Sequence, residues 1–176
     1  GGMPAERYRL YHEEKAKGGI GLTLFGGSSA VSIDSPATFG QLDLSSDRVI
    51  PHLARFAGAI HTHGAHTFCQ LSHAGRRTRW DVADWLPSVS PSHVREAEHR
   101  TFPKAMEDWD IERIVADYGQ GARRCREGGL DGVELLFSGS HLPLQFFSPS
   151  TNRRQDGYGG TLANRMRFAL EVVGEG

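Results

Sequence analysis

Three short apolar runs, at residues 20–25, 65–71 and 130–136, alternate with amphipathic helical stretches, and this confines the chain to a parallel α/β architecture. Parallel strands cannot be joined by a tight turn, so each pair needs a crossover long enough to hold a helix. The spacing predicts helices over residues 5–17, 48–62, 108–127 and 161–173. The first carries Tyr8, Tyr11 and Ala16 and stops at Gly18-Gly19. The second starts from a Ser46-Asp47 cap and aligns Ile50, Leu53, Phe56, Ala57 and Ile60; the last aligns Leu162, Arg165, Met166, Ala169 and Val172. Glycines and small polar residues follow each strand directly, at Gly26-Gly27, Ser72-His73-Ala74-Gly75 and Phe137-Ser138-Gly139. In parallel α/β folds that edge is where sites are built. The remaining stretches, 72–107 and 137–160, read as loops, and the first is too long to be a plain connector.

Composition narrows the function classes. A formal net charge of -1 argues against a nucleic-acid partner, which selects for a basic excess or stripe. No run approaches the roughly 18 apolar residues of a membrane span, and no signal peptide opens the sequence. The two cysteines, Cys69 and Cys125, make no disulfide framework, which points to a reducing cytoplasm.

Several clusters carry chemistry. His61-Thr62-His63-Gly64-Ala65-His66 has the look of a metal site, but it lies at a helix end, on the edge opposite the loops listed above, so no metal is assigned. Gln70 closes a core strand, where a buried amide needs partners. It suits the edge of a flavin or nucleobase ring, or else it satisfies loop backbone; spacing leaves both open. His73 and Arg76 either contact a phosphate or carboxylate or pin the loop that follows, and pinning is favoured. Asp131-Gly132-Val133-Glu134 places an acid at each end of a core strand, and a buried Glu134 is expected to meet an arginine, Arg153 or one outside the chain. His141 stands in the loop facing the expected ligand edge. The polar stretch 148–160 reads as an arginine–aspartate clamp. Dinucleotide, Walker-type and nucleophile-elbow motifs are all missing from the sequence.

The ordered set Lys17-Gly18-Gly19, Gln70-Leu71-Ser72-His73-Ala74-Gly75-Arg76, Asp131-Gly132-Val133-Glu134 and Gln145-Phe146-Phe147-Ser148-Pro149, running on to Asn152-Arg153-Arg154, Asp156, Tyr158-Gly159-Gly160 and Asn164-Arg165, resembles the old yellow enzyme family. These FMN-dependent oxidoreductases include the 2,4-dienoyl-CoA reductases and the trimethylamine dehydrogenase type. The resemblance implies a (β/α)8 TIM barrel with FMN at the C-terminal ends of its strands. It matches Gly27 to the small residue beside the flavin and Gln70 to the glutamine that hydrogen-bonds the ring. NAD(P)H is implied as an electron donor and a small molecule as substrate. A homo-oligomer is compatible with the family, and a [4Fe–4S] cluster has a place only in a part C-terminal to these residues.

Two departures matter. Many members carry a His-x-x-His or His-x-x-Asn pair that binds the carbonyl oxygen of an activated alkene. The matching substrate-pocket positions here are Leu136 and Gly139, which offer no side-chain donor, and the tyrosine proton donor is matched by His141. Losing one such donor typically costs on the order of 10²–10³ in rate. Amine or N-methyl oxidation forms no oxyanion and needs only a neutral amine, which a histidine favours by accepting its proton. The resemblance therefore points to an FMN-dependent oxidoreductase performing oxidative N-demethylation or amine dehydrogenation, with His141 as the catalytic candidate. The alternatives are NAD(P)H-dependent alkene reduction and a non-catalytic flavin-binding relic. A barrel of this kind takes about 250 residues. Residues 1–176 are accordingly expected to form a fragment of one FMN-binding domain, from helix 1 through strand 4 and helix 4, which binds FMN poorly alone.

Overall fold

Each apolar run becomes a strand and each amphipathic stretch a helix. A computed structural model describes residues 2–37, 40–79, 81 and 86–175. The elements are α1 (Glu6–Lys17), β1 (Leu22–Ala30), α2 (Ile50–His61), β2 (His66–Ser72), β3 (Val89–Ser90), β4 (Lys104–Ala105), α3 (Asp108–Glu127), β5 (Gly132–Leu135), α4 (Leu142–Phe147) and α5 (Leu162–Glu175). The main sheet has the order β1-β2-β5, and both pairings are parallel. Its register sets Phe25 beside Cys69 and Gln70 beside Glu134. This is a partial (β/α)8 barrel, with α2 and α3 as the crossovers.

Alternation along the strands separates two faces. Phe25, Cys69 and Leu71 are buried in the core with Leu53, Phe56 and Ile60 of α2 and Ile114 and Tyr118 of α3. Phe25 stacks on Phe56 with ring centroids 4.2 Å apart. Leu22, Leu24 and Gln70 lie on the other face, the interior side of a closed barrel, where Leu24 is 41% exposed.

Four local readings change. First, β1 does not end at Phe25 but runs through Gly26-Gly27 to Ala30, with a bulge between Phe25 and Ser29. Gly26 takes φ +87°, and a Cβ there would collide with the Ser29 hydroxyl and stand 2.9 Å from Cys69 Sγ. Second, the buried face of α1 is His12 and Ala16, whereas Tyr11 is exposed under the Lys15 ammonium. An apolar pattern passes over a histidine, yet His12 packs edge-on against Tyr8 at 4.8 Å and shares a 2.6 Å hydrogen bond with Thr23 Oγ1. Third, the loop 137–160 contains α4, six residues too short to show a period, and its Phe146 stacks on Phe168 at 4.4 Å. That contact shifts the buried face of α5 to Phe168, Ala169 and Val172 and leaves Leu162, at the helix start, exposed. Fourth, the excursion 72–107 carries its own parallel pair, β3 with β4.

The clamp over 148–160 forms as expected. Arg154 donates from Nε to Asp156 Oδ2 at 2.9 Å and from Nη1 to the carbonyls of Pro91 and Met106, while Asn152 Nδ2 donates to Phe146 O at 2.8 Å and Tyr158 O at 2.7 Å. Gly159 closes this loop so tightly that a Cβ would overlap the Arg154 carbonyl. Gly159→Ala is therefore expected to lower stability by about 1–3 kcal/mol, read as a shifted urea midpoint.

His12 also makes a pH prediction. Burial, aided by the Lys15 charge, holds its imidazole down at about 4. The unfolded chain, with a histidine of about 6.5, then binds the extra proton as pH falls. Stability is expected to drop by up to about 3 kcal/mol between pH 6.5 and 4. Urea midpoints measured across that interval should lose this component in His12→Gln.

Candidate active site

The C-terminal ends of β1, β2 and β5 gather the polar residues. The bulge in β1 turns the Ser28 N–H toward Gln70, whose Oε1 accepts it at 2.7 Å. Gln70 Nε2 donates to Glu134 Oε1, its register neighbour. Among the described residues Glu134 thus pairs with Gln70 and not with Arg153, and it is exposed rather than buried. After these two contacts Gln70 keeps one amide hydrogen and one oxygen lone pair. Gly27, next to Ser28, borders a cavity of about 420 Å³ lined also by Met3, Tyr8, Gln41 and Leu42. A Cβ at Gly27 would meet no atom within 4 Å. Gly27 and Gln70 are thereby joined through Ser28.

His141 lies on a second cavity, of about 190 Å³, walled by Ser28, Ser35, Ser72, Arg77 and His99 among others and sharing Gln41 with the first. Its Nδ1 is 3.0 Å from the Ser138 carbonyl, which can only accept, so Nδ1 carries the proton. Among the described residues Nε2 has no hydrogen-bond partner. Burial lowers the His141 pKa, the Arg77 charge acts the same way, and the Ser138 carbonyl opposes them. The ring is therefore neutral at pH 7, with its Nε2 lone pair available as a base. Leu136 and Gly139 stand outside the walls of this cavity. Leu136 N–H extends the β2–β5 ladder to Leu71 O at 3.0 Å, and the Gly139 carbonyl accepts from Arg77 Nη1 at 2.6 Å.

His73 and Arg76 are pins. His73 is fully buried; its Nε2 donates to Asp34 Oδ1 at 2.9 Å and its Nδ1 accepts from Gly75 N–H at 3.0 Å. Arg76 Nη1 donates to the carbonyls of Val94 and Arg95, both at 3.3 Å. At the opposite edge, His61 and His66 each sit 2.9 Å from one oxygen of Asp131, and His63 faces Glu13 at 3.6 Å, so these histidines diverge onto two carboxylates. Sequence reasoning missed Asp34, Arg113 and Gln145. Gln145 is buried and donates to Ala74 O at 2.9 Å and Ser140 O at 2.7 Å, tying the β2 loop to α4. Its place in the Gln145-Phe146-Phe147 motif was the available signal.

The sequence profile of the NADH:flavin oxidoreductase / NADH oxidase family matches residues 1–175. The chain belongs to this family. NADH:flavin oxidoreductases of this kind are FMN-dependent. The chain is 57% identical over 170 residues to a multifunctional alkene reductase/demethylase of Caballeronia cordobensis, covering 97% of this chain and 25% of the relative. It is 53% identical over 174 residues to an N,N-dimethylglycine/sarcosine dehydrogenase of Chromohalobacter salexigens, covering 98% and 25%. Its fold matches morphinone reductase with a TM-score of 0.89 at 30% identity, over 99% of this chain and 50% of that one. The chain thus spans about a quarter of the length of these two curated relatives. Among the described residues, no helix is long and apolar enough to cross a membrane.

Proposed function

We propose that the protein to which residues 1–176 contribute part of one barrel domain is an FMN-dependent oxidoreductase of small amines, acting by oxidative N-demethylation or amine dehydrogenation. The observation that carries this reading is the neutral His141 on the cavity wall with Nε2 unpaired. FMN, when bound, supplies a hydride acceptor at its ring nitrogen N5. The residues present fit such a ring. Gly27 leaves its backbone uncovered beside a cavity, and Gln70 retains one donor and one acceptor for a ring edge. His141 Nε2 takes the ammonium proton, so that the amine nitrogen carries a lone pair when the adjacent C–H bond breaks. Leu136 and Gly139 supply no side-chain donor for a carbonyl oxygen, which agrees with a reaction that forms no oxyanion. Two free thiols, Cys69 and Cys125, agree with a cytoplasmic location.

Alkene reduction is the second reading, favoured by the name of the 57% identical relative. The full-length protein, purified yellow, is mixed anaerobically with N-methylated amino acids and, separately, with cyclohexenone and NADPH. Bleaching of the flavin by the N-methylated amino acids alone is the expected result. Turnover confined to the enone would overturn the proposal, and a yellow protein that neither substrate bleaches would favour a non-catalytic flavin-binding relic.

A further inference from the structure

The second cavity has a charge bias that the amine reading does not use. Its described walls contain Arg77, His99 and His141 and no carboxylate. Arg77 is held on one side only. Nη1 is fixed by the Gly139 carbonyl at 2.6 Å, while Nη2 stands 3.7 Å from Glu98 Oε2, beyond hydrogen-bond reach, and Glu98 is itself 71% exposed. Nη2 of a permanently charged guanidinium on the cavity wall thus has no hydrogen-bond partner among the described residues. The same short turn positions both functional groups: Ser138 O orients the His141 ring and Gly139 O orients Arg77. A proton acceptor and an anion-binding fork, both on one cavity and oriented by the carbonyls of two adjacent residues, suit a molecule that carries both an amine and a carboxylate.

We propose that Arg77 anchors the substrate carboxylate, so that this site takes N-methylated α-amino acids in preference to simple amines. The inference rests on the amine reading for the role of His141, and on Arg77 alone for the anion. The carboxylate displaces the loose contact with Glu98 and accepts a charge-assisted hydrogen bond from Nη2.

The test uses the full-length holoenzyme and calorimetric titration with pyrrole-2-carboxylate, an aromatic acid with no oxidisable amine. Arg77→Met is expected to weaken its binding about 10- to 100-fold, with Arg77→Lys in between. Glu98→Gln, which removes the competitor, should tighten it about 2- to 5-fold, a gain that misfolding cannot produce. Binding of N-methylpyrrole should be the same in all four proteins. In turnover, Arg77→Met should raise KM for N-methylproline about 10-fold or more beyond any change in KM for N-methylpyrrolidine. Equal affinity of wild type and Arg77→Met for pyrrole-2-carboxylate, or no binding to either, overturns the anchor. Carboxylate binding that depends on Arg77 without oxidation of any N-methyl amine upholds the anchor and overturns the amine reading.

Discussion

Asp34→Ala is expected to remove about 3–5 kcal/mol of folding stability, enough to unfold a marginal domain. Asp34 is 5% exposed and joins three segments far apart in sequence. Its Oδ1 accepts from Ser32 Oγ at 2.7 Å and from His73 Nε2 at 2.9 Å, and its Oδ2 accepts from Arg113 Nη2. Arg113 Nη1 also donates to Ser32 Oγ at 2.9 Å and Asp117 Oδ2 at 3.2 Å. Burial would push the carboxyl up, but the hydrogen bonds from His73, Arg113 and Ser32 outweigh it and hold Asp34 well below the usual carboxylate range. Truncation strands a fully buried imidazole N–H and takes the acceptor from Nη2 of a partly buried guanidinium, and an unpaired buried donor costs more than its bond contributed. Asp34→Asn keeps one acceptor and should lose less.

The pH dependence has a definite sign. A carboxylate with a depressed native pKa stabilises the fold above its unfolded value, about 3.9, and that contribution fades as pH falls below about 4. Urea denaturation from pH 7 to 3 should show this acid limb in wild type and a flatter one in Asp34→Asn. An Asp34→Ala protein within 1 kcal/mol of wild type would show that the network does not hold the β2 loop.

His141→Ala in the full-length holoenzyme is expected to slow flavin reduction by an N-methylated amino acid about 10²- to 10⁴-fold. The side chain makes one hydrogen bond, to Ser138 O, and the backbone of the turn is held separately by His141 N–H to Ser138 O at 3.1 Å. Stability and flavin content should therefore change little, since the His141 side chain makes no hydrogen bond to Gly27, Ser28 or Gln70. The base must be unprotonated, so wild-type kcat/KM should fall as pH drops through the lowered His141 pKa, and the variant should lack that limb. Stopped-flow bleaching across pH 5–8 checks both. A variant rate within about threefold of wild type would remove His141 from the chemistry.

Much of the architecture was legible because it is local. The three parallel strands, the α2 stripe of Leu53, Phe56, Ala57 and Ile60, and the clamp of Arg154 and Asp156 all follow from spacing or from a contiguous motif. The misreadings are equally physical. An apolar pattern does not show His12, a polar residue type in a core position, and six residues of α4 cannot display a 3.6-residue period. The sequence pattern puts Glu134 in a core strand and offers Arg153 as its partner within the chain, whereas the strand register sets it beside Gln70, 64 residues away, and leaves it exposed.

By itself, the sequence determined the alternation of strands and helices, the edge on which polar residues collect, and the resemblance that pointed to Gly27, Gln70 and His141. Tertiary structure alone decided which of these meet. Asp34 lies 39 residues from His73 and 79 from Arg113, and Ser28 lies 42 from Gln70. Helical and strand periods repeat every few residues and so appear in the sequence. Such pairings depend on where a strand register and a bulge deliver each side chain, and those are set only when the sheet closes against its helices.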